Sequence, residues 1–175
     1  PYGLYLLGTI LSQNKHEVVV ADLVAHGTND ISKFKKEVID SSLVGISATT
    51  LSWPTAIDVI DQVRQTSPTV PIVLGGVHPS TFPRYILNRF KVDYIIGGEA
   101  ELSLLKFASA GCAPIDQPVT FSIWPSSHHP SRVLKCGTPL SAAFMPEVPD
   151  ASKGRCGVLS QISHPAIICL HKSIS

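Results

Sequence analysis

Charge is scarce in this chain of 175 residues: Asp, Glu, Lys and Arg make up 15%, and the formal net charge is +1. Lys and Arg form no cluster, so the chain lacks the electrostatic footprint needed to bind a nucleic acid or an anionic membrane surface. Long hydrophobic runs are missing as well. The apolar opening "PYGLYLLGTIL" reaches the polar "SQNKHE" after eleven residues, too few to span a bilayer, and it has neither the basic start nor the small-residue cleavage site of a signal peptide. The four cysteines, Cys112, Cys136, Cys156 and Cys169, are separated by 23, 19 and 12 residues, so no Cys-x-x-Cys pair of a zinc site is present. These absences point to a soluble, cytoplasmic chain, a compartment in which disulfides are not expected. The chain enters structured residues at once without an initiating Met, which reads as a fragment. Internal repeats, homopolymeric runs and nucleophile-base constellations are also lacking.

What is present is a hydrophobic content of 44%, enough to bury the core of one domain, with or without an appendage. The chain divides near Gly111. Residues 111–175 hold all four cysteines, eight of the fourteen prolines and no sustained periodicity, and read as an irregular tail or linker. Residues 1–110 alternate apolar strands with helical segments. "GLYLLGTILSQ" carries Leu4, Leu7, Ile10 and Leu11 at helical spacing, and "EVVVADL" is a β-branched run that reads as a buried strand. "DISKFKKEVIDS" reads as a helix capped by Asp30, with Ile31, Phe34 and Val38 inward. "LVGIS", "PIVLGG" and "VDYIIGG" read as strands. "WPTAIDVIDQVRQTSP", with Pro54 in its first turn, "FPRYILNRF" and "EAELSLLKFA" read as helices. Continuous apolar strands belong to a sheet covered on both faces, so the expected fold is α/β: a doubly wound parallel sheet in three flavodoxin-like, Rossmann-like α/β/α layers.

In such sheets the ligand lies beyond the carboxyl ends of the strands. Three loops stand there: "SATTLS" from Ser47, "GGVHPS" from Gly75 and "GGEAE" from Gly97. All are built from small or hydroxyl residues. Glycine weakens a strand end unless the backbone needs an unusual φ or something must come close to it. Singly, each loop can be read as turn and cap chemistry; together they read as the floor of a ligand site. His78 stands between donating to a ligand and shaping the turn with Pro79. Tyr2 and Trp53 read as packing residues, and Glu99 and Glu101 as acids serving a helix dipole.

The four segments "PYGLYLLGTILSQNKHEVVVADL", "LVGISATT", "PIVLGGVHPS" and "VDYIIGGEAELSLL", in that order and spacing, resemble the cobalamin-binding domain of cobalamin-dependent radical SAM enzymes. The resemblance covers residues 1–110. It implies cobalamin as ligand, with Ser47, Thr49 and Thr50 as hydrogen-bonders to its nucleotide tail. Gly75 and Gly76 would let the tail's dimethylbenzimidazole lie on backbone, with Val77 and His78 also among the cofactor-binding residues, and Gly97, Gly98 and Glu99 would border the nucleotide loop or corrin. It also implies, as partner, a radical SAM catalytic domain absent from this chain; that domain would hold the iron-sulfur cluster and S-adenosylmethionine. The chain itself is expected to be a non-catalytic fragment, because the Cys-x-x-x-Cys-x-x-Cys that holds such a cluster is missing.

Against the family pattern, the central first strand, whose loop carries Asp-x-His-x-x-Gly with a cobalt-ligating His in some relatives, has no counterpart ahead of "GLYLLGTIL". Asp22, His26 and Gly27 follow the wrong strand at the wrong spacing. His128 and His129 with Cys136 are a poor metal set, since adjacent side chains on extended chain point to opposite faces. The tail reads as a divergent linker or the product of a frameshift, except that Ala166 to Leu170 has the pattern of the missing strand and is expected to fill its slot. Two other functions stand beside cobalamin binding. One is a degenerate α/β domain without cofactor that serves as an interaction module. The other is a phosphoacceptor receiver, disfavoured because Ser47 stands where it needs Asp and Gly97 and Gly98 where it needs Lys.

Overall fold

The computed structural model describes residues 2–111, 123–125 and 165–171. After helix α1 (Tyr2–Gln13) come strand β1 (Val18–Ala21), a short α2 (Leu23–His26), a 3-10 turn (Ser32–Phe34) and α3 (Lys35–Asp40). Strand β2 (Ser41–Ser47), α4 (Trp53–Thr66), β3 (Ile72–Gly75), α5 (Val77–Thr81), α6 (Pro83–Arg89), β4 (Tyr94–Ile96) and α7 (Glu101–Ser109) follow. Strands β5 (Ile123–Pro125) and β6 (Ala166–His171) complete the described elements. The expected cap at Asp30 is corrected: its carboxylate accepts the Ser32 N–H at 2.8 Å in a local turn, but a 3-10 turn with Ile31 at its N-cap comes first and α3 starts after Phe34, neither with a side-chain cap.

The strands are apolar on both faces because both faces are covered. Val44 and Ile46 of β2, Ile72 and Leu74 of β3, Ile95 of β4, and Ile167 and Cys169 of β6 point into one core with α4 and α6. Leu43, Val73, Tyr94, Ile96, Ala166, Ile168 and Leu170 point into a second core against Leu4 and Leu11 of α1 and Leu104 and Phe107 of α7. The period of two along each strand thus divides the sheet's side chains between two helical layers. Tyr2 corrects the sequence reading: it is 83% exposed, because the inward stripe of α1 runs through Leu4, Gly8 and Leu11. Gly8 sits where α1 crosses β1, and a Cβ there would come within 3.0 Å of Val20. Asp93 fastens the opposite end of the sheet, accepting from the Arg64 guanidinium and from the Ile72 N–H.

The strand order is β1-β6-β2-β3-β4-β5. Strands β2, β3 and β4 are parallel. Strand β6 lies between β1 and β2 and is antiparallel to both, with Val20 and Gly45 both opposite Ile168, and Ser47 opposite Ala166. The slot open between β1 and β2 is therefore filled by the C-terminal segment, but in the direction opposite to that of a parallel first strand. Two facing strand edges offer unpaired N–H and C=O groups that a strand of either direction can satisfy. A sheet parallel throughout is thus corrected to a mixed one. Strand β5, from a stretch that reads as irregular, adds to β4 antiparallel, and Pro125 is accommodated because this strand stands at the sheet edge. Cys169 is fully buried in β6, and burial, followed by the nearby Glu37 carboxylate, pushes its thiol up to about 12.

Candidate functional site

The carboxyl ends of β2, β3 and β4 bring Ser47, Gly75 and Gly97 to one edge of the sheet. The loops after β2 and β3 are bonded to each other through backbone: the Ala48 N–H donates to the Gly75 carbonyl at 3.0 Å, and the His78 N–H to the Ala48 carbonyl at 3.4 Å. Ser80 links the third loop, its Oγ donating to the Gly76 carbonyl and accepting from the Gly98 N–H at 3.4 Å. All three loops singled out from the sequence therefore meet in one surface.

Individual residues within that surface differ in what occupies them. The Thr49 hydroxyl is engaged locally: it accepts from the Ser52 N–H at 3.2 Å, while Ser52 Oγ accepts from the Thr49 N–H at 2.9 Å, closing the turn before α4. Thr50 is exposed, with Oγ1 3.4 Å from His78 Nδ1. His78 is 9% exposed and lies in a short helix rather than an open loop; its ring stacks on Trp53 at 4.6 Å and leans on Phe82 at 5.1 Å. Trp53 in turn packs edge-on against Phe90, so this histidine is part of an aromatic wall under the loops. Val77 is 68% exposed, and Gly98 and Glu99 are exposed beside it. His26, at the end of α2, is also exposed, with its ring against Phe34. Among the described residues no three His, Cys, Asp or Glu gather as a metal site. His128, His129 and Cys136 lie outside the described residues.

Burial pushes the His78 imidazole below its ordinary value. The neutral ring therefore belongs to the folded state. Above about pH 6.5 both folded and unfolded forms are neutral and stability is flat; below it the unfolded chain takes a proton that the folded one resists, and stability falls with pH. In an NMR titration His78 should show a midpoint below that of an unstructured histidine. A midpoint at or above that value would contradict this placement.

The glycines of the floor separate into two kinds. Gly76 has φ +97° and ψ 178°, a region essentially reserved for glycine, and a Cβ there would stand 2.5 Å from the Ala48 carbonyl oxygen. The fold alone demands it. Gly75 has no positive φ, and a Cβ there would meet nothing closer than the Ile96 carbonyl oxygen at 3.9 Å. Packing leaves Gly75 unexplained.

Gly75 opens onto an apolar slot of about 60 Å³ between the sheet and the layer of α1 and α7. Its walls are Leu4 and Leu7 of α1 and Ala100 and Leu104 beside and within α7; its base is Gly45, Val73, Ile96 and Ile168. The wall residues were visible in sequence only as helical core stripes, since nothing in a single sequence shows which part of a stripe borders a gap.

A family model described as a B12 binding domain matches residues 1–108. An uncharacterized methyltransferase of Pyrococcus horikoshii is 29% identical over 113 residues, 63% of this chain and 24% of that protein. The solved radical S-adenosylmethionine methyltransferase TsrM from Kitasatospora setae, with tryptophan substrate and an aza-SAM analog bound, superposes with a TM-score of 0.56 at 24% identity. The superposition covers 64% of this chain and 23% of that one. The chain thus spans about a quarter of the length of either relative. Among the described residues no helix is long and apolar enough to cross a membrane.

Proposed function

Because this chain belongs to the B12-binding domain family, we propose that it receives the nucleotide tail of cobalamin at the carboxyl ends of β2, β3 and β4. The observation that carries this reading is Gly75. A strand-end glycine that neither φ nor packing requires leaves bare backbone facing an apolar slot, which is the surface a flat ligand needs. Cobalamin, when bound, supplies alkyl-transfer chemistry at its cobalt.

The chain's own residues bind and orient. Ser47 and Thr50 offer hydroxyls at the rim, Gly75 and Gly76 offer backbone, and Gly97 to Glu99 border the far side. Thr49 serves through the turn it holds with Ser52 rather than through a free hydroxyl. Residues 1–110 carry the ligand-facing loops, and the segment after Gly111 contributes the strand that completes the sheet. The catalytic partner is a radical SAM domain of the methyltransferase kind, which would carry the iron-sulfur cluster and S-adenosylmethionine. Support for that partner comes from the two relatives, both methyltransferases by name and both about four times as long as the matched region.

Position 75 tests the reading. Gly75→Ala should leave stability unchanged or raise it by up to about 1 kcal/mol, since a strand glycine gives way to a residue that fits. Gly75→Leu, still folded, should cut cobalamin affinity at least tenfold, read from the corrin absorbance that co-migrates with protein on gel filtration. Equal retention by wild type and Gly75→Leu would contradict the proposal. The second reading, a domain that has kept the fold and lost the cofactor, draws on the small volume of the slot; no co-migrating chromophore with wild-type protein would favour it.

A further inference from the structure

One side chain of the inserted strand lines the base of the slot. Ile168 stands opposite Gly45 in the register of β6 and β2, and a Cβ on Gly45 would come within 2.5 Å of Ile168 Cγ2. Gly45 is therefore a glycine because Ile168 lies over it. On its other side Ile168 Cδ1 reaches to 4.0 Å from where a Cβ on Gly8 of α1 would be. The side chain is wedged between helix and sheet, closing the base of the space that Leu4, Leu7 and Leu104 wall.

About 60 Å³ remains above it. An apolar cavity of about 150 Å³ takes a benzene ring, whereas a water occupies about 30 Å³ of liquid. The slot as folded is too small to enclose a fused bicyclic base, although its apolar lining suits a flat apolar ring. The lining fits the lower base in chemistry and falls short of it in volume.

We propose that Ile168 is the specificity-determining stop of the slot: it holds the lower base of a corrinoid at the mouth, and a smaller side chain at this position lets the base enter. This rests on the cobalamin reading above, and the test separates the two. Dissociation constants are measured for cobalamin and for cobinamide, which lacks the nucleotide base, with wild type, Ile168→Val and Ile168→Ala, each checked for cooperative unfolding. Cobalamin should bind Ile168→Ala at least tenfold more tightly than wild type, equivalent to about 1.4 kcal/mol, with Ile168→Val between them. Cobinamide should change less than twofold.

Unchanged or weaker cobalamin binding by folded variants overturns the stop. If no corrinoid binds any variant, the cobalamin reading fails, and the stop is then decided by free 5,6-dimethylbenzimidazole in ligand-observed NMR. Binding to Ile168→Ala but not to wild type supports it, and identical behaviour of the two overturns it. Should Ile168→Ala fail to unfold cooperatively, Ile168→Val carries the same comparisons.

Discussion

An alanine at position 76 is expected to cost the fold about 3 kcal/mol or more and to lower the melting temperature by roughly 10 °C, whereas the same change one residue earlier costs nothing. Two effects add at Gly76. Its backbone occupies a region where any residue with a Cβ is strained by about 1–3 kcal/mol. The new methyl also meets the Ala48 carbonyl oxygen at 2.5 Å, a backbone atom that cannot swing aside, and overpacking of this kind costs about 1–3 kcal/mol more. Ala48 cannot retreat without breaking its own bond to Gly75, the link between the two loops. Gly76→Ala should therefore also loosen the floor and weaken cobalamin binding. Thermal unfolding of the two alanine variants side by side checks this, and equal melting temperatures would contradict the division of the glycine pair.

Ile167→Asp is expected to abolish cooperative folding. Ile167 is fully buried in β6, an interior strand paired on both sides, in the larger of the two cores. A carboxylate there has no partner and no water, and such substitutions exceed about 4 kcal/mol, a large part of a typical domain's stability. The same placement predicts that the amides of Ile167 to Leu170, paired on both sides to β1 and β2, exchange among the slowest in the chain. Exchange of these amides at the rate of unstructured peptide, or a cooperatively folded Ile167→Asp, would remove β6 from the sheet.

That strand shows what the sequence could and could not reveal. "AIICL" is legible as a buried strand, and a vacancy between two strand edges is a reason for it to be filled. Its direction is not legible, because a continuous apolar run reads the same forwards and backwards. The contact between Ile168 and Gly45 follows from direction and register, so it was invisible too. Most other elements of residues 1–110 were plain: apolar runs ending in glycine made strands, and stripes at helical spacing made helices. The short α2 and α5 escaped notice because four or five residues are too few to display a period.

At the site, the three loops were legible as a group from their small and hydroxyl residues. The distinct duties within them were not. Gly75 and Gly76 are the same letter twice, yet one is required by φ and by Ala48 and the other by neither. Thr49 and Thr50 are likewise identical in sequence, and only the folded turn spends the first on Ser52 and leaves the second beside His78. His78 resolves into the ring that joins the Trp53 wall to the loop above it.

The central claim is that one surface, formed by the three loops at the carboxyl ends of β2, β3 and β4, receives cobalamin. The most direct measurement is a backbone amide map of the isotopically labelled chain with and without the cofactor. The account predicts that the largest shifts fall together on Ser47 to Thr50, Gly75 to His78 and Gly97 to Glu99, with His16 and Ser109 at the opposite edge of the sheet unmoved. Shifts that avoid the three loops, or that cluster at the opposite edge, would contradict it.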